Sequence, residues 1–358
     1  MSYILPIIWL YIMAVVGNTG GMYQRETVLG SRERRATKKY ALMIILPLII
    51  LAAFRSKNTG DTGMYVNDFW SIPSVLSGKL AYIRSQTKDT GFYAMSALVS
   101  VFVGKHFRYY LLLLALVQGL SLMRLYRRHS EDYWLAMFVF VATTDYLSWM
   151  HNGIRQFFAV AITLCAAEPI FRRRYIKAGI IIAFASLFHQ SALMMIPIMF
   201  IVQGEPWNGK TLLVIAGTVL IMAFSGVFSD TLDTVLAQTQ YRNVVSDWRS
   251  SGDDGANPLR VLVYSVPALL SLLCRKKIAH TKDRVILVAC NMSIVAMALY
   301  LVSMVTSGIY IGRLPIYCSL YANGILLPWE LKHVFGKNMR LAAIGCYLAF
   351  YFLQVLFF

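Results

Sequence analysis

The fold is decided by residues 41–68, ALMIILPLIILAAFRSKNTGDTGMYVND. The first half of this stretch is an uncharged apolar run, which predicts a helix that spans a membrane. Arg55 follows directly where the run ends. Asp61, Tyr65 and Asp68 come next, at offsets of four and three that place them on one helix face. A cation, carboxylates and an aromatic ring at the end of a span indicate a functional site; the alternative is a snorkelling arginine before an ordinary polar loop.

The composition of the chain predicts an all-α integral membrane protein. Of its 358 residues, 58% are hydrophobic and 14% are charged, which excludes an ordinary soluble protein. The apolar runs are continuous, whereas a transmembrane barrel would show short alternating segments. We therefore expect a single polytopic membrane domain over residues 1–358, and no internal repeat is evident. The net charge of +17 fits basic loops near anionic lipid, so no nucleic-acid partner is expected.

About twelve apolar runs are long enough to span a membrane, if the shorter ones end in snorkelling side chains. They lie near residues 3–20, 38–54, 108–123, 133–150, 153–168, 175–188, 190–202, 211–228, 259–273, 285–304, 311–329 and 340–357. Basic clusters occur in the intervening loops at residues 25–39, 124–128, 172–177, 275–284 and 332–340. Because basic loops stay in the cytoplasm, these clusters set the orientation of the spans.

With these spans, every basic cluster falls on the same side of the membrane, so both termini are expected outside. The agreement requires Gly91–Gly104 to be a re-entrant or interfacial helix on the outer side. It also requires residues 175–202 to form two spans that are broken near His189. The large outer loops are then residues 55–107 and 229–258.

Three patterns predict neither a cofactor nor a metal site. Residues 204–211, GEPWNGKT, match the phosphate-loop pattern, but membrane spans on both sides exclude the strand and soluble helix that the motif needs. The pair Asp253 and Asp254 is interpreted as a solvated turn rather than a cation site. The five cysteines contain no CxxC pair and are interpreted as buried thiols.

Polar side chains recur at the outer ends of the predicted spans. They are Arg55 and Asp61, then His151, Asn152, Arg155 and Gln156 in WMHNGIRQFFAV, then His189 in SLFHQSALMMIP, and Arg313 in IYIGRLPIYCSLY. A lone arginine at such a place is often a snorkeller, a lone histidine a helix cap, and an Asp–Arg pair a structural bridge. Ionisable groups in a membrane are costly and usually mark function, so their common depth and side predict one outward-opening cavity.

Three arginines on the outer side suit a phosphate or diphosphate, because guanidinium is planar, always charged and offers paired donors. A phosphate at this depth suggests the headgroup of a lipid. Four aromatic residues occur nearby, namely Tyr65, Trp149, Tyr310 and Tyr317. They either stack on sugars or belong to the aromatic belt of the membrane interface.

Four stretches in order resemble the EpsG-like family of bacterial polysaccharide polymerases, which are related in role to the O-antigen polymerases. The stretches are FRSKNTGDTGMYVNDF, MHNGIRQFFAVAI, ASLFHQSALMMIPI and GRLPIYCSLYANGIL. Family members show an arginine then an aspartate after the second span, an Asn–Arg–Gln segment that opens a span, a His–x–Ser break and a late Gly–Arg pair. The resemblance carries over to Arg55, Asp61, Tyr65, Asn152, Arg155, Gln156, His189, Ser191 and Arg313.

The resemblance implies a GT-C-like membrane glycosyltransferase at the outer face of a bacterial inner membrane. It would join oligosaccharide repeat units that are carried on polyprenyl diphosphate, so its partners are a lipid-linked donor and acceptor. A flippase or a chain-length regulator is a further candidate partner. Nothing in the resemblance accounts for residues 229–258, where acceptor choice is expected to reside.

The expected mechanism is a direct displacement with inversion that needs no metal and no cofactor. Arg55, Arg155 and Arg313 would neutralise the leaving diphosphate, and His189 or Asp61 would take the proton of the attacking hydroxyl. Substrate contacts are also expected from Tyr65, His151, Asn152 and Gln156. The alternatives are a transporter or flippase of a lipid-linked sugar or anion, and a structural subunit of an envelope complex. Nearly uncharged mid-span regions favour a one-sided enzyme over a transporter.

Overall fold

The computed structural model describes residues 3–28, 31–239 and 242–357, and it is 78% helical. In chain order the elements are α1 (Ile4–Gly17), β1 (Tyr23–Val28), β2 (Ser31–Ala36), α2 (Lys38–Ala53), α3 (Thr62–Ser71), α4 (Leu76–Arg84), α5 (Thr90–Val103), α6 (Phe107–His129), α7 (Tyr133–Ala142), α8 (Asp145–Leu147), α9 (Ile154–Thr163), α10 (Ala167–Phe171), α11 (Tyr175–Ser186), α12 (Met195–Ile201), α13 (Gly209–Ala223), α14 (Ser225–Leu236), α15 (Val244–Ser250), α16 (Pro258–Leu273), α17 (Arg275–Thr281), α18 (Arg284–Met304), α19 (Ile316–Tyr321), α20 (Leu327–Glu330) and α21 (Gly336–Phe357). Short 3-10 turns cover Leu164–Ala166, Gln190–Met194 and Ile311–Arg313, and π-helical turns cover Ser148–Asn152, Ala322–Leu326 and Leu331–Phe335.

Several of the described helices are long and apolar enough to cross a membrane. Four stretches meet this condition on their own: Phe107–His129, Ile154–Phe171, Arg284–Met304 and Ile311–Leu356. Two bent pairs, α13 with α14 and α16 with α17, turn by 103° and 76°, and the number is six if each pair forms one span. These stretches support the predicted helical membrane protein. The count of about twelve spans, the GT-C-like arrangement and the orientation stay predictions.

The chain forms two compact units. The first consists of Met1–Met195 and Lys337–Phe358, and the second of Ile196–Gly336. Every predicted site residue except Arg313 therefore belongs to the first unit. The single polytopic domain expected from the sequence stays a prediction.

A two-stranded antiparallel hairpin, β1 with β2, forms within the basic loop that was predicted after the first span. Arg25 lies opposite Arg34, and like charges in such a position destabilise a hairpin. Contacts beyond the backbone pairing offset this repulsion. Arg127 Nη1 lies 2.8 Å from Glu26 Oε1, and the Arg34 guanidinium stands 4.7 Å from the centre of the Tyr23 ring. This hairpin was not predicted from the sequence, because the charge pattern of residues 23–36 alone does not favour one.

Helix α2 places Arg55 at the edge of the first unit's core. The helix begins where the Thr37 hydroxyl accepts a hydrogen bond from the Tyr40 N–H at 3.2 Å. It then packs along α6, and a Cβ added at Gly119 would lie 2.6 Å from Ile49 Cγ1. Lipid is as apolar as these side chains, so close packing rather than exclusion of water stabilises the contact. Arg55 follows at the end of this well-packed helix.

The second unit packs α13, α16 and α19 against α18. Asn291 of α18 is fully buried, and its Nδ2 donates to the Val202 carbonyl at 3.1 Å. Trp207 Nε1 donates to Ser271 Oγ at 3.0 Å. Residues 204–208 form a turn that leads into α13, with a buried tryptophan inside the turn, and the element directly before it is the helix α12 rather than a strand. This geometry agrees with the interpretation that GEPWNGKT is not a phosphate-binding loop.

Both of the large predicted outer loops contain helices. Loop 55–107 holds α3, α4 and α5, and α5 forms a helix over most of Gly91–Gly104, as the sequence predicted. Loop 229–258 holds the end of α14 and all of α15. Helical structure thus covers part of the described residues of this loop. The location of both loops outside the membrane stays a prediction.

Candidate active site

Arg55 is held where α2 ends and α3 begins. Its Nε donates to Thr62 Oγ1 at 2.6 Å, and its Nη1 donates to the Ala52 carbonyl. The Thr62 side chain is fully buried, and its hydroxyl in turn lies 3.4 Å from the His151 carbonyl, to which it donates. Arg55 is thereby connected, through one threonine, to the π-helical turn that carries His151 and Asn152.

The charge of Arg55 has no counter-ion in the described part of the chain. The guanidinium forms no ion pair with a described carboxylate, and its Nη2 is buried without a hydrogen-bond partner there. Burial lowers the pKa of Arg55 to about 10, so the group is still protonated at neutral pH. A buried cation without an anion is costly, and it is the arrangement that an anionic ligand would complete.

Asn152 binds the loop that precedes α3. Its Oδ1 accepts a hydrogen bond from the Asp61 N–H at 3.2 Å. Gly60 has a φ of +50°, and a Cβ at that position would lie 1.5 Å from the same oxygen, so only glycine fits. The carboxylate of Asp61 forms no hydrogen bond or ion pair with the residues that the structure describes. Its backbone, rather than its charge, makes the contact with Asn152.

Arg155 stands at the start of α9 and is held on three sides. Its backbone N–H donates to the Tyr65 hydroxyl at 3.3 Å. Its Nε lies 3.2 Å from Asp89 Oδ2, and its Nη1 donates to the Tyr93 hydroxyl at 3.0 Å. The arginine that was predicted to have a catalytic role is therefore paired with a carboxylate that the sequence analysis did not identify.

Asp89 also reaches the break at His189. Its Oδ1 accepts a hydrogen bond from the Gln190 N–H at 3.1 Å, and Gly91 N–H donates to the Leu187 carbonyl at 2.9 Å. The Asp89 side chain is only 5% exposed, and burial raises the pKa of its carboxyl although Arg155 and the Gln190 amide oppose the rise. One carboxylate thus joins the Arg155 guanidinium to the segment that carries His189.

A short repeat in the sequence could have identified Asp89. Asp61-Thr-Gly-Met-Tyr65 and Asp89-Thr-Gly-Phe-Tyr93 share the pattern D-T-G-x-Y, and each pattern opens a helix. The tyrosine of each copy accepts a hydrogen bond from Arg155, one from its backbone and one from its side chain. This five-residue repeat was not recognised from the sequence, in which no internal repeat had been evident.

His189 lies at the break between α11 and the 3-10 turn that starts at Gln190, as the sequence predicted. Its Nδ1 is 2.7 Å from Ser191 Oγ, and the ring is half-buried. This His–x–Ser contact fixes the orientation of the imidazole. If Nδ1–H donates to the serine, Nε2 is the basic nitrogen of the ring.

His151 contributes a buried, neutral imidazole. Its ring lies edge-on to Tyr146, with 5.0 Å between the ring centres. Neither ring nitrogen has a hydrogen-bond partner among the described residues. Burial, together with the charge of Arg55, lowers the pKa of His151 to about 3. The ring can donate and accept one hydrogen bond at neutral pH without adding a charge.

Most of the aromatic rings proposed to stack on sugars are buried instead. Tyr65, Trp149 and Tyr317 are each at most 6% exposed. Tyr65 packs edge-on against Phe92 with 6.0 Å between ring centres, so its hydroxyl rather than its face contacts the site. Of the four candidates only Tyr310 keeps a partly exposed ring.

The two remaining predicted residues lie on α9 and on a 3-10 turn of the second unit. Gln156 is 6% exposed and belongs to the buried side of α9. Arg313 ends the 3-10 turn Ile311–Arg313 in the second unit, where its side chain is exposed. Its membership of the same cavity stays a prediction.

A family model described as the EpsG family matches residues 38–358, which is nearly the whole chain. No curated protein and no solved structure matches the chain. The matched range contains Arg55, Arg155, His189 and Arg313, so the residues of the candidate site lie within the family's own boundaries.

Proposed function

Because the chain belongs to the EpsG family, we propose that it is a polysaccharide polymerase that joins polyprenyl-diphosphate-linked oligosaccharide repeat units. The donor is a growing glycan on polyprenyl diphosphate, and the acceptor is the next lipid-linked unit. The reaction takes place at the outer face of a bacterial inner membrane, where a flippase delivers the units. The apolar helices support a location in a membrane. The choice of the outer face rests on the basic loops, which the sequence assigns to the cytoplasm.

The observation that carries the proposal is the uncompensated charge of Arg55. Its side chain is partly buried and forms no ion pair with a described carboxylate, and its buried Nη2 has no hydrogen-bond partner among the described residues. A diphosphate oxygen is an anionic acceptor that would complete these contacts, and guanidinium suits phosphate geometry. His151 lies beside it as a neutral ring and could donate a further hydrogen bond without repelling the cation.

Arg155 has a different role in this proposal. Asp89 already balances its charge, and Tyr65 and Tyr93 fix its position. Its side chain is still 25% exposed, so the guanidinium can meet the substrate while its orientation is set in advance. We assign Arg55 to the diphosphate, and Arg155 to the oxygen that leaves with it, where negative charge develops as the bond to the anomeric carbon breaks. The assignment of Arg313 to the diphosphate rests on the sequence alone.

The chemistry is a direct displacement at the anomeric carbon. The hydroxyl oxygen of the acceptor bonds to that carbon, the bond from the carbon to the diphosphate oxygen breaks, and its electron pair leaves with polyprenyl diphosphate. His189 Nε2 takes the hydroxyl proton and passes it to water, with Ser191 holding Nδ1. The anomeric configuration inverts. Asp61 is the weaker candidate for the base, because only its backbone is engaged at the site.

The test is incubation of the purified protein in detergent or vesicles with a lipid-linked repeat unit. A ladder of longer lipid-linked glycans supports the polymerase. Uptake of the unit into vesicles without new glycosidic bonds would instead support the transporter or flippase. The matched variants are Arg55→Gln and Lys57→Gln, since Lys57 is an exposed cation two residues away. Only the first should abolish the ladder.

A further inference from the structure

Asp253 lies in the SGDDG turn after α15, and its carboxylate is fully used as a hydrogen-bond acceptor. Oδ2 accepts from Ser307 Oγ at 2.5 Å and from the Ile309 N–H at 3.0 Å. Oδ1 accepts from the Gly308 N–H at 2.9 Å and from the Gly255 N–H at 3.2 Å. A carboxylate offers about four lone-pair positions, so these donors leave none for a cation. The side chain that was interpreted as part of a solvated turn is a bridge between two loops.

Hydrogen bonds connect the bridge to the 3-10 turn that ends at Arg313. Ser307 Oγ also accepts from the Tyr310 N–H at 2.9 Å, and the Ser307 carbonyl accepts from the Gly312 N–H at 2.9 Å. A continuous path of hydrogen bonds therefore runs from Asp253 through Ser307 to the residue that precedes Arg313. The path fixes the backbone of the 3-10 turn on which the arginine stands.

Two glycines allow the loops to meet. Gly255 has a φ of +96°, and a Cβ there would lie 2.4 Å from the Met304 carbonyl oxygen. A Cβ on Gly308 would lie 3.0 Å from the Gly255 carbonyl. The Ala256 N–H donates to the Ser303 carbonyl at 2.9 Å. The backbone of residues 253–256 therefore packs directly against the backbone of residues 303–308. This close contact holds the Asp253 carboxylate at a fixed distance from its donors.

The bridge also connects to α15. The Asp253 N–H donates to the Trp248 carbonyl at 3.3 Å, and the Trp248 side chain is 4% exposed. Loop 229–258 is thus anchored at its end by a buried tryptophan and an engaged carboxylate. Asp254, the next residue, is exposed and forms no hydrogen bond or ion pair with the residues described.

We propose that Asp253 is a positioning residue that holds the turn of Arg313 in its substrate-binding conformation and couples loop 229–258 to that turn. The coupling rests on the proposed function, because it assumes that Arg313 binds the diphosphate. The bridge itself does not depend on that function. It accounts for an acidic residue that neither the family resemblance nor the reaction explains.

The first test is hydrogen exchange on the purified protein. Asp253→Asn removes the charge and turns an NH2 group towards N–H donors, so the Gly308 and Ile309 amides should exchange on the order of tenfold faster or more. Asp254→Asn is the matched control and should leave these amides unchanged. Ser307→Ala removes one donor to the carboxylate and the acceptor of the Tyr310 N–H, so the Gly308 and Ile309 amides should show a smaller increase. Equal exchange in Asp253→Asn and wild type would overturn the bridge, whatever the protein catalyses.

The second test is a double-mutant cycle in the polymerisation assay. Asp253→Asn should lower kcat/KM on the order of tenfold, and it should cause no further loss in an Arg313→Ala background. Additive losses would show that Asp253 does not act through Arg313. Normal kcat/KM in Arg313→Ala, with the ladder intact, would overturn the positioning role while the polymerase stands. A missing ladder in wild type would count against the proposed function, and hydrogen exchange would still decide the bridge.

Discussion

Asp89 Oδ2 lies 3.2 Å from Arg155 Nε, and the two side chains are 5% and 25% exposed. This ion pair joins the turn before α5 to the first turn of α9. The carboxylate keeps a hydrogen bond from the Gln190 N–H at the same time, so three segments meet at one side chain. For an ion pair with this little exposure, removal of one partner has a large effect on stability, because the other charge is then left buried and unbalanced.

Asp89→Asn is therefore expected to lower the free energy of unfolding by roughly 3 kcal/mol, the lower end for buried pairs because a quarter of the Arg155 side chain is exposed. Thermal unfolding in detergent measures the loss. The double variant with Arg155→Gln should recover part of it, since no unpaired charge remains. Lys88→Gln, at the exposed neighbouring position, is the control. A double variant as unstable as the sum of the singles would contradict the pairing.

Arg55→Gln is expected to lose polymerisation by about 100-fold or more, the size found when one donor to a developing charge is removed. Stability should stay the same or rise, because the substitution removes a buried cation that has no described counter-ion. Thermal unfolding and the product ladder, measured on the same preparation, separate the two effects. If the variant unfolds while Lys57→Gln does not, Arg55 has a structural role.

His189→Ala and Arg155→Ala are each expected to abolish chain growth while the protein still inserts into the membrane. Removal of a general base typically costs 10²–10⁴-fold in rate. Ser191→Ala should have a smaller effect, because it frees the ring without removing it. His280→Ala, at an exposed position in α17, serves as the control. Near-normal polymer from either of the first two variants would refute its role.

His151 gives a prediction about pH. Its pKa of about 3 lies below the unfolded value of about 6.5, so unfolding takes up a proton between these values. The stability that the neutral ring contributes is complete above pH 6.5 and is lost as the pH falls towards 3. His151→Gln should therefore lose less stability than wild type between pH 7 and pH 4, which thermal unfolding across that range would show. Parallel curves for the two proteins would mean that the ring is not buried as described.

The break at His189 and the helix within Gly91–Gly104 could be predicted from the sequence, because the basic loops share one side of the membrane only if both features are present. The span ends proposed to carry the site stand out as ionisable residues against apolar runs, and their function stays a prediction. Asp89 was missed because it lies in an ordinary polar turn. Its role follows only from its ion pair with Arg155, which is distant in the sequence. The stacking role of Tyr65 was not supported, since the burial of that ring is set by Phe92 on another helix.

The bridge at Asp253 was missed for a related reason. In the sequence, Asp253 and Asp254 are equivalent members of a glycine-flanked turn. They differ only in the fold, where the segment of Ser307 donates hydrogen bonds to Asp253. The hairpin of β1 and β2 likewise depends on Arg127, a residue far along the chain. Local patterns identified the helices, whereas contacts between distant segments determined what the polar side chains do.

The fit of Gly60 against Asn152 bears on how the candidate site would bind a ligand. The amide oxygen fills the place that any other side chain at position 60 would occupy, so the two segments are interlocked before a ligand arrives. A site whose segments are held together in advance needs little rearrangement on binding and loses little conformational entropy. Ligand recognition by the first unit is therefore expected to be close to lock-and-key binding.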